Sequence, residues 1–236
     1  AAYSLTLPHT PPRKDVHGLD RVAWLKAAKL LGVPYVLILF IVTFIDSTIH
    51  NGYFVVIDGF LQKVGISANM SMVVSSIGQV AEIVTMVILG TVLKKLGWKT
   101  TLIIGILGHA ARFGVFAFFG TPDHAWLIIA IQVLHGICYA FYFVTVYIFV
   151  DAVFPKDVRS SAQGLFNLLI LGVGMVVASQ LFPRLAAAYT VNKEIDYHKL
   201  FLVPTGMALA GIILLGLFFR PPTHGPEEVG ESSAPH

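Results

Sequence analysis

Six stretches of this chain stay apolar for about twenty residues, the length an α-helix needs to cross the hydrocarbon core of a bilayer. They run roughly Pro34–Asp58, Met70–Leu93, Thr100–Phe119, Ala125–Phe154, Ser161–Ala188 and Leu200–Arg220. At that depth no water is available to bond backbone amides, so separate segments of this kind can cross only as helices. The expected fold class is an all-α membrane protein of six transmembrane helices. Of the 236 residues 56% are hydrophobic and 12% charged, whereas a soluble domain carries about one-quarter charged residues.

Gly97, Gly120–Pro122, Pro155 and Pro183 punctuate the joins. Their breaks separate the apolar segments, and Pro183 could equally kink a helix end. Arg13, Lys14, Arg21, Lys26 and Lys29, then Lys94, Lys95 and Lys99, then Lys156 and Arg159, and last Arg220 fall on one side of the expected topology. The opposite side holds Lys63, Arg184, Lys193 and Lys199. The positive-inside rule therefore places both termini in the cytoplasm. The net charge of +3 does not point to nucleic acid, because the basic residues sit in short loops. The lone Cys138 excludes a disulfide within the chain. A surface amphipathic helix is expected over Gly18–Leu31, with Leu19, Val22, Ala23 and Trp24 on its apolar face. The start lacks the charged and apolar regions of a signal peptide and reads as the middle of a longer protein. The 221–236 tail, rich in Pro, Glu and Ser, is expected to be disordered.

Polar residues inside apolar spans carry the functional signal. A charge at the bilayer centre costs about 2.5–3.5 kcal/mol even on the mildest scale, so it marks a site, a relay or a paired brace. Glu82 lies in the second span, with Gln79 three residues earlier on the same face. Arg112 is the one basic residue deep in a span, which predicts that it and Glu82 face each other or share a hydrated cavity. A static ion pair and a carboxylate exchanging between arginine, proton and solute both fit that spacing. In the first span Asp46 and His50 share a face at i,i+4, with Asn51, Gly52 and Tyr53 beside them. That cluster suits either a polar solute or local Asp46–His50 pairing. His135, Tyr139 and Tyr142 recur at i, i+4 and i+7 in the fourth span, a stripe that could stack on a planar ring or simply pack against a helix. Asp151 and Arg159 are spaced to pair across a turn as a gate. No metal-ligand spacing is present and no cofactor is expected. The absence of HExxH and GxSxG argues against an intramembrane enzyme.

The segments FPKDVRSSAQGLF and HGICYAFYF, Gln79-Val-Ala-Glu82 and Ala111–Phe113 together resemble the C-terminal half of nucleoside:proton symporters of the major facilitator superfamily. GTVLKKLGWKTTLIIG is similar to a basic join general to that superfamily, and YSLTLPHTPP to the end of its sixth helix. The resemblance implies residues 1–33 as the end of a preceding helix and a central cytoplasmic loop, and residues 34–220 as helices seven to twelve of a twelve-helix carrier. It implies alternating access around a midplane site, a missing N-terminal six-helix half, and a bacterial inner membrane. It assigns Gln79 and Glu82 to substrate contact and proton coupling, His135 and Tyr139 to the tenth helix, and His50 to the seventh. Ala140 stands where some members carry Asp, and Asp46 and His50 stand where nucleoside carriers have Gln and Asn. The expected function is proton-coupled nucleoside transport. Substrate contacts are then Gln79, His50, His135, Tyr139 and Asp46, with Glu82 and Arg112 in proton coupling. The isolated chain is not expected to transport alone. Rival readings are a carrier for a sugar or related metabolite, and a non-transporting sensor or assembly subunit.

Overall fold

The computed structural model describes Leu25, residues 28–156 and residues 158–222. The expected amphipathic segment from Gly18, apart from Leu25 and residues 28–31, and the 223–236 tail lie outside the described residues. Five helical stretches are long and apolar enough to cross a membrane: α1 (Pro34–Lys63), α2 (Ala68–Phe119), α3 (Pro122–Val153), α4 (Arg159–Ala188) and α5 (Tyr197–Phe218).

α1 begins where its sequence says it should. Val33 is extended before Pro34, and proline at the first helical position loses only an amide that would have been unbonded anyway. α2 has 52 residues, about 78 Å if straight, far longer than a bilayer is thick. It is not straight. Gly97 sits at φ 72° and ψ 175°, a conformation that a Cβ would oppose. Arms 68–96 and 98–119 fold back there onto the same partner. Gly136 of α3 abuts Ala81 and Glu82 on the first arm, while a Cβ on Gly105 of the second arm would meet Phe141 and Tyr142 of α3. Each arm matches one expected apolar segment, so the break at Gly97 was correctly placed.

α3 and α4 depart from uniform α-helix. Tyr139–Val144 and Leu168–Val173 are π-helical. Such segments widen the turn and free carbonyls, and they concentrate at functional sites. The freed Ile170 carbonyl accepts from Asn51 Nδ2 at 3.2 Å. Between α4 and α5 the chain forms a two-strand hairpin, β1 (Thr190–Val191) and β2 (Glu194–Ile195). Asn192 and Lys193 both have positive φ, the signature of a type I′ turn. This hairpin had no forecast in the apolar pattern.

In lipid the hydrophobic effect does not drive helices together, so close packing by small residues and interhelical hydrogen bonds must. Gly52 of α1 lies flat against the Phe182 ring of α4, and Gly174 of α4 against Ser47 of α1. Gly52 therefore serves helix packing rather than approach of a solute. Asp196 caps α5 by accepting from the Lys199 amide at 3.2 Å. At the opposite end of α1, Asp58 accepts from Ser71 and from Gln62, tying α1 to the start of α2.

Candidate functional site

α1 presents Thr43, Asp46, His50 and Tyr53 at spacings of three, four and three, which place them along one stripe of the helix. All four are buried. Three make cross-helix bonds to the second arm of α2 or to α3. Thr43 Oγ1 lies 3.1 Å from the Tyr142 hydroxyl, Asp46 Oδ1 2.8 Å from His109 Nδ1, and the Tyr53 hydroxyl donates to Gln132 Oε1 at 3.0 Å. A stripe that would be costly in lipid thus becomes the seam of the bundle.

The expected pairing of Glu82 with Arg112 is not formed. Arg112 is fully buried. Its Nη1 donates to His135 Nδ1 at 2.6 Å, and its guanidinium carbon lies 4.1 Å from the centre of the Tyr53 ring. Glu82 is half-buried on the first arm and makes no ion pair among the described residues. The physical reason is the route of the chain. The second arm turns Arg112 inward onto His135 of α3 and Tyr53 of α1, while the backbone at Glu82 on the first arm packs against Gly136 of α3. A planar imidazole and a tyrosine face therefore replace the carboxylate as the guanidinium's neighbours, a cation–π arrangement.

Arginine has no acceptor, so its bond specifies the His135 tautomer. Nδ1 must accept, which places the proton of neutral His135 on Nε2. Gln79 Nε2 lies 3.3 Å from that nitrogen. Two donors cannot bond each other, so the Gln79 amide is turned with its oxygen toward His135. The chain Gln79–His135–Arg112–Tyr53–Gln132 then runs from the exposed face of the first arm to the buried end of α3.

His50 caps this chain with aromatic contacts. Its ring stacks on His135 with centroids 5.0 Å apart and an interplanar angle of 25°, and it touches Phe54, Tyr139 and Phe143. His135, Tyr139 and His50 come together as expected. Tyr142 does not join them, because the π segment rotates it into the core, where it bonds Thr43. Asp46, expected to contact a solute, is also withdrawn. It is wholly buried and pairs with His109 rather than with its i,i+4 neighbour His50. His109 was legible as a second ionisable residue in the same apolar span, one turn before Arg112, yet only the charged member of HAAR drew notice. Gln132 offered no comparable signal.

Asp151 and Arg159 do pair across the turn between α3 and α4, at 3.6 Å, and Arg159 also donates to the Phe154 carbonyl. An apolar cavity of about 580 Å³ opens between the first arm and α3, lined by Val80, Val84, Ile137 and Phe141 among others. Its lining lacks the donors and acceptors of the His50–His135 cluster and so does not suit a polar solute. No group of three His, Cys, Asp or Glu side chains among the described residues is arranged to hold a metal ion.

Comparison with known proteins places this geometry. The chain is 32% identical over 190 residues to YegT of Escherichia coli K12, covering 76% of this chain and 42% of that protein. It is 26% identical over 250 residues to the xanthosine permease of the same organism, covering 59% of it. It spans about half the length of the curated relatives it matches. The crystal structure of the nucleoside transporter NupG superposes with a TM-score of 0.76 over 93% of this chain and 57% of that one, at 22% identity. The two chains share a fold over the part compared. A family model described as nucleoside H+ symporter matches residues 1–224. This multi-pass membrane chain belongs to the nucleoside H+ symporter family.

Proposed function

We propose that this chain is the C-terminal half of a proton-coupled nucleoside carrier working by alternating access. Arms 68–96 and 98–119 of α2 are read as two crossings, which with the other four helices makes six. The carrying observation is the ring-lined polar cluster at mid-depth: Gln79 bonded to His135, with His50 stacked on His135 and Tyr139 against His50. Planar aromatic faces suit a nucleobase, and the Gln79 amide and imidazole nitrogens suit its hydrogen-bonding edge. Family membership and the names of the relatives, a xanthosine permease and a nucleoside permease, support the same cargo.

In this reading Gln79, His50, His135 and Tyr139 contact the nucleoside, and Glu82 takes a proton from the cavity. Arg112 acts one step back, since it orients His135 rather than meeting substrate. Asp151 and Arg159 hold a cytoplasmic gate closed and part when the halves rock. The placement of Lys and Arg supports cytoplasmic termini, and the organism of the relatives supports a bacterial inner membrane. A second six-helix half supplies the opposing wall.

The test is uptake of labelled uridine into proteoliposomes containing the intact carrier under an imposed inward proton gradient. Accumulation that is abolished by collapsing the gradient, and competed by unlabelled nucleosides but not by sugars, is expected. Uptake indifferent to the gradient would reject the coupling, and competition by sugars alone would reject the cargo. Loss of a partner complex with flux intact in Glu82→Gln and His135→Ala would favour the assembly-subunit reading instead.

A further inference from the structure

The pair at the centre of the bundle has no place in the site just described. Asp46 and His109 are both wholly buried, near the middles of α1 and of the second arm of α2, and bonded at 2.8 Å. Among the described residues Asp46 Oδ2 and His109 Nε2 have no nitrogen or oxygen hydrogen-bond partner, the Cys138 thiol being the polar neighbour of His109. His50 Nδ1 is likewise unpartnered, and the His50 and His109 rings lie 5.9 Å apart, centroid to centroid. A single bridging water or one side-chain adjustment spans such a gap. His50 in turn stacks on His135, which reaches Gln79 on the exposed face of the first arm.

We propose that the Asp46–His109 pair is a second proton-binding site of the carrier, separate from Glu82, reached from the nucleoside cluster through His50. The proposal rests on the carrier reading above and adds a residue pair to it. In the empty site His109 is neutral, its Nδ1–H donates to the Asp46 carboxylate, and its Nε2 carries the lone pair. A proton arriving by way of His50 adds to Nε2 and makes an imidazolium held by Asp46; its departure restores the neutral ring. No bond other than N–H is made or broken.

Charge balance gives the site its use. With neutral imidazoles, the Asp46 carboxylate offsets the Arg112 guanidinium, and the buried set carries no net charge. One added proton leaves a net positive charge in a dry core, which is costly unless water or an acceptor from the opposite half reaches the cavity. Occupancy then depends on which way the cavity faces, as proton coupling requires. The groups facing the pair are few. α3 contributes Cys138 and His135 beside His109 and Tyr142 near Asp46. α1 contributes His50, and the second arm contributes Arg112. The first arm brings Glu82 at mid-depth and Lys94 and Lys95 at its end. α4 has charge only at Arg159 and Arg184, and α5 only His198 and Lys199 near its start.

Two measurements on the purified intact carrier test this. The first counts protons taken up between about pH 9 and about pH 5 in weakly buffered detergent, the span in which a perturbed histidine titrates. Asp46→Asn and the double variant Asp46→Asn/His109→Gln should each bind one proton fewer than the unsubstituted carrier. The double variant keeps two amides able to bond each other, so it guards against simple unfolding. An unchanged count in both overturns the proposal. The second compares gradient-driven uridine accumulation with uridine counterflow, which moves no net protons. Their ratio should drop at least about tenfold in both variants, the size of a one-unit loss of proton affinity. A reduced count with an unchanged ratio overturns the transport role of the bound proton. Absence of uridine flux in the unsubstituted carrier sinks the nucleoside reading, while the proton count still decides the site.

Discussion

The same pairing, a basic side chain beside a carboxylate, occurs in two places with opposite consequences. At the membrane surface Lys63 at the end of α1 pairs with Glu194 of the hairpin, both largely exposed to solvent. In the bundle centre Asp46 pairs with His109, both fully buried. Water screens the first pair and the flexible side chains resist being held, so such pairs contribute little. The second pair has no water to fall back on, and removing one member strands the other in a medium that solvates charge poorly. What an ion pair does in this protein is decided by depth, not by residue type.

The sharpest way to break the contrast is Asp46→Ala. It strands His109 and leaves Arg112 without its balancing charge, and it should cost about 3–5 kcal/mol. Thermal melting of the purified carrier reads this, and a shift no larger than that of a surface substitution would refute the buried side of the comparison. Next comes Gly136→Leu, which tests packing at the same depth without touching charge. A Cβ there would sit 2.4 Å from the Ala81 and Glu82 backbone. Overpacking of this sort costs about 1–3 kcal/mol, and the displaced first arm should carry Gln79 away from His135 and lower uridine uptake.

A smaller effect is expected from Tyr53→Phe. It keeps the ring over Arg112 but removes the donor to Gln132, and membrane-buried hydrogen bonds of this kind contribute about 0.6–1.7 kcal/mol. A melting shift as large as that of Asp46→Ala would mean that hydrogen bonding rather than charge organises the seam. The smallest effect belongs to Lys63→Ala, which should leave melting and uptake unaltered.

pH sharpens the comparison further. A hydrogen bond from Lys63 holds the Glu194 carboxyl below the ordinary carboxylate range, and the Lys199 amide does the same for Asp196. A lowered carboxyl pKa gives stability that is present above the ordinary value and lost as pH falls through the lowered one. The hairpin should therefore respond only in acid, below the ordinary carboxylate range. Any change in uptake between about pH 5 and pH 8, where histidines titrate, should survive Glu194→Gln. Its disappearance in that variant would move the pH sensor to the surface.

Much of this architecture was legible along the chain. Length and hydropathy located every apolar arm, and the break at Gly97 was visible because the apolar run is too long for one crossing and carries Lys94, Lys95 and Lys99 at its middle. The Asp151–Arg159 pair was legible too, since a short turn after Pro155 leaves few places for either side chain to go. The aromatic stripe was only half right. Spacing of i, i+4 and i+7 assumes 3.6 residues per turn, and the π segment from Tyr139 invalidates that count before Tyr142. Partner choice among the buried charges was not legible at all. Glu82, Arg112, Asp46, His50 and His109 all sit near mid-depth, so depth alone permits several pairings.

The amino-acid sequence by itself determined that these segments must be helices across a bilayer, because an apolar chain in lipid has to bond its own backbone. It also determined that the polar residues within them must meet one another, because none can stay exposed to hydrocarbon cheaply. Which ones meet was decided only by the tertiary structure. The reversal at Gly97 and the close approach at Gly136 set the rotation of each helix about its axis. That rotation turns Arg112 onto His135 and Tyr53, sends Asp46 to His109, and leaves Glu82 half-exposed. Rotation is a global property of packing, and no local spacing contains it.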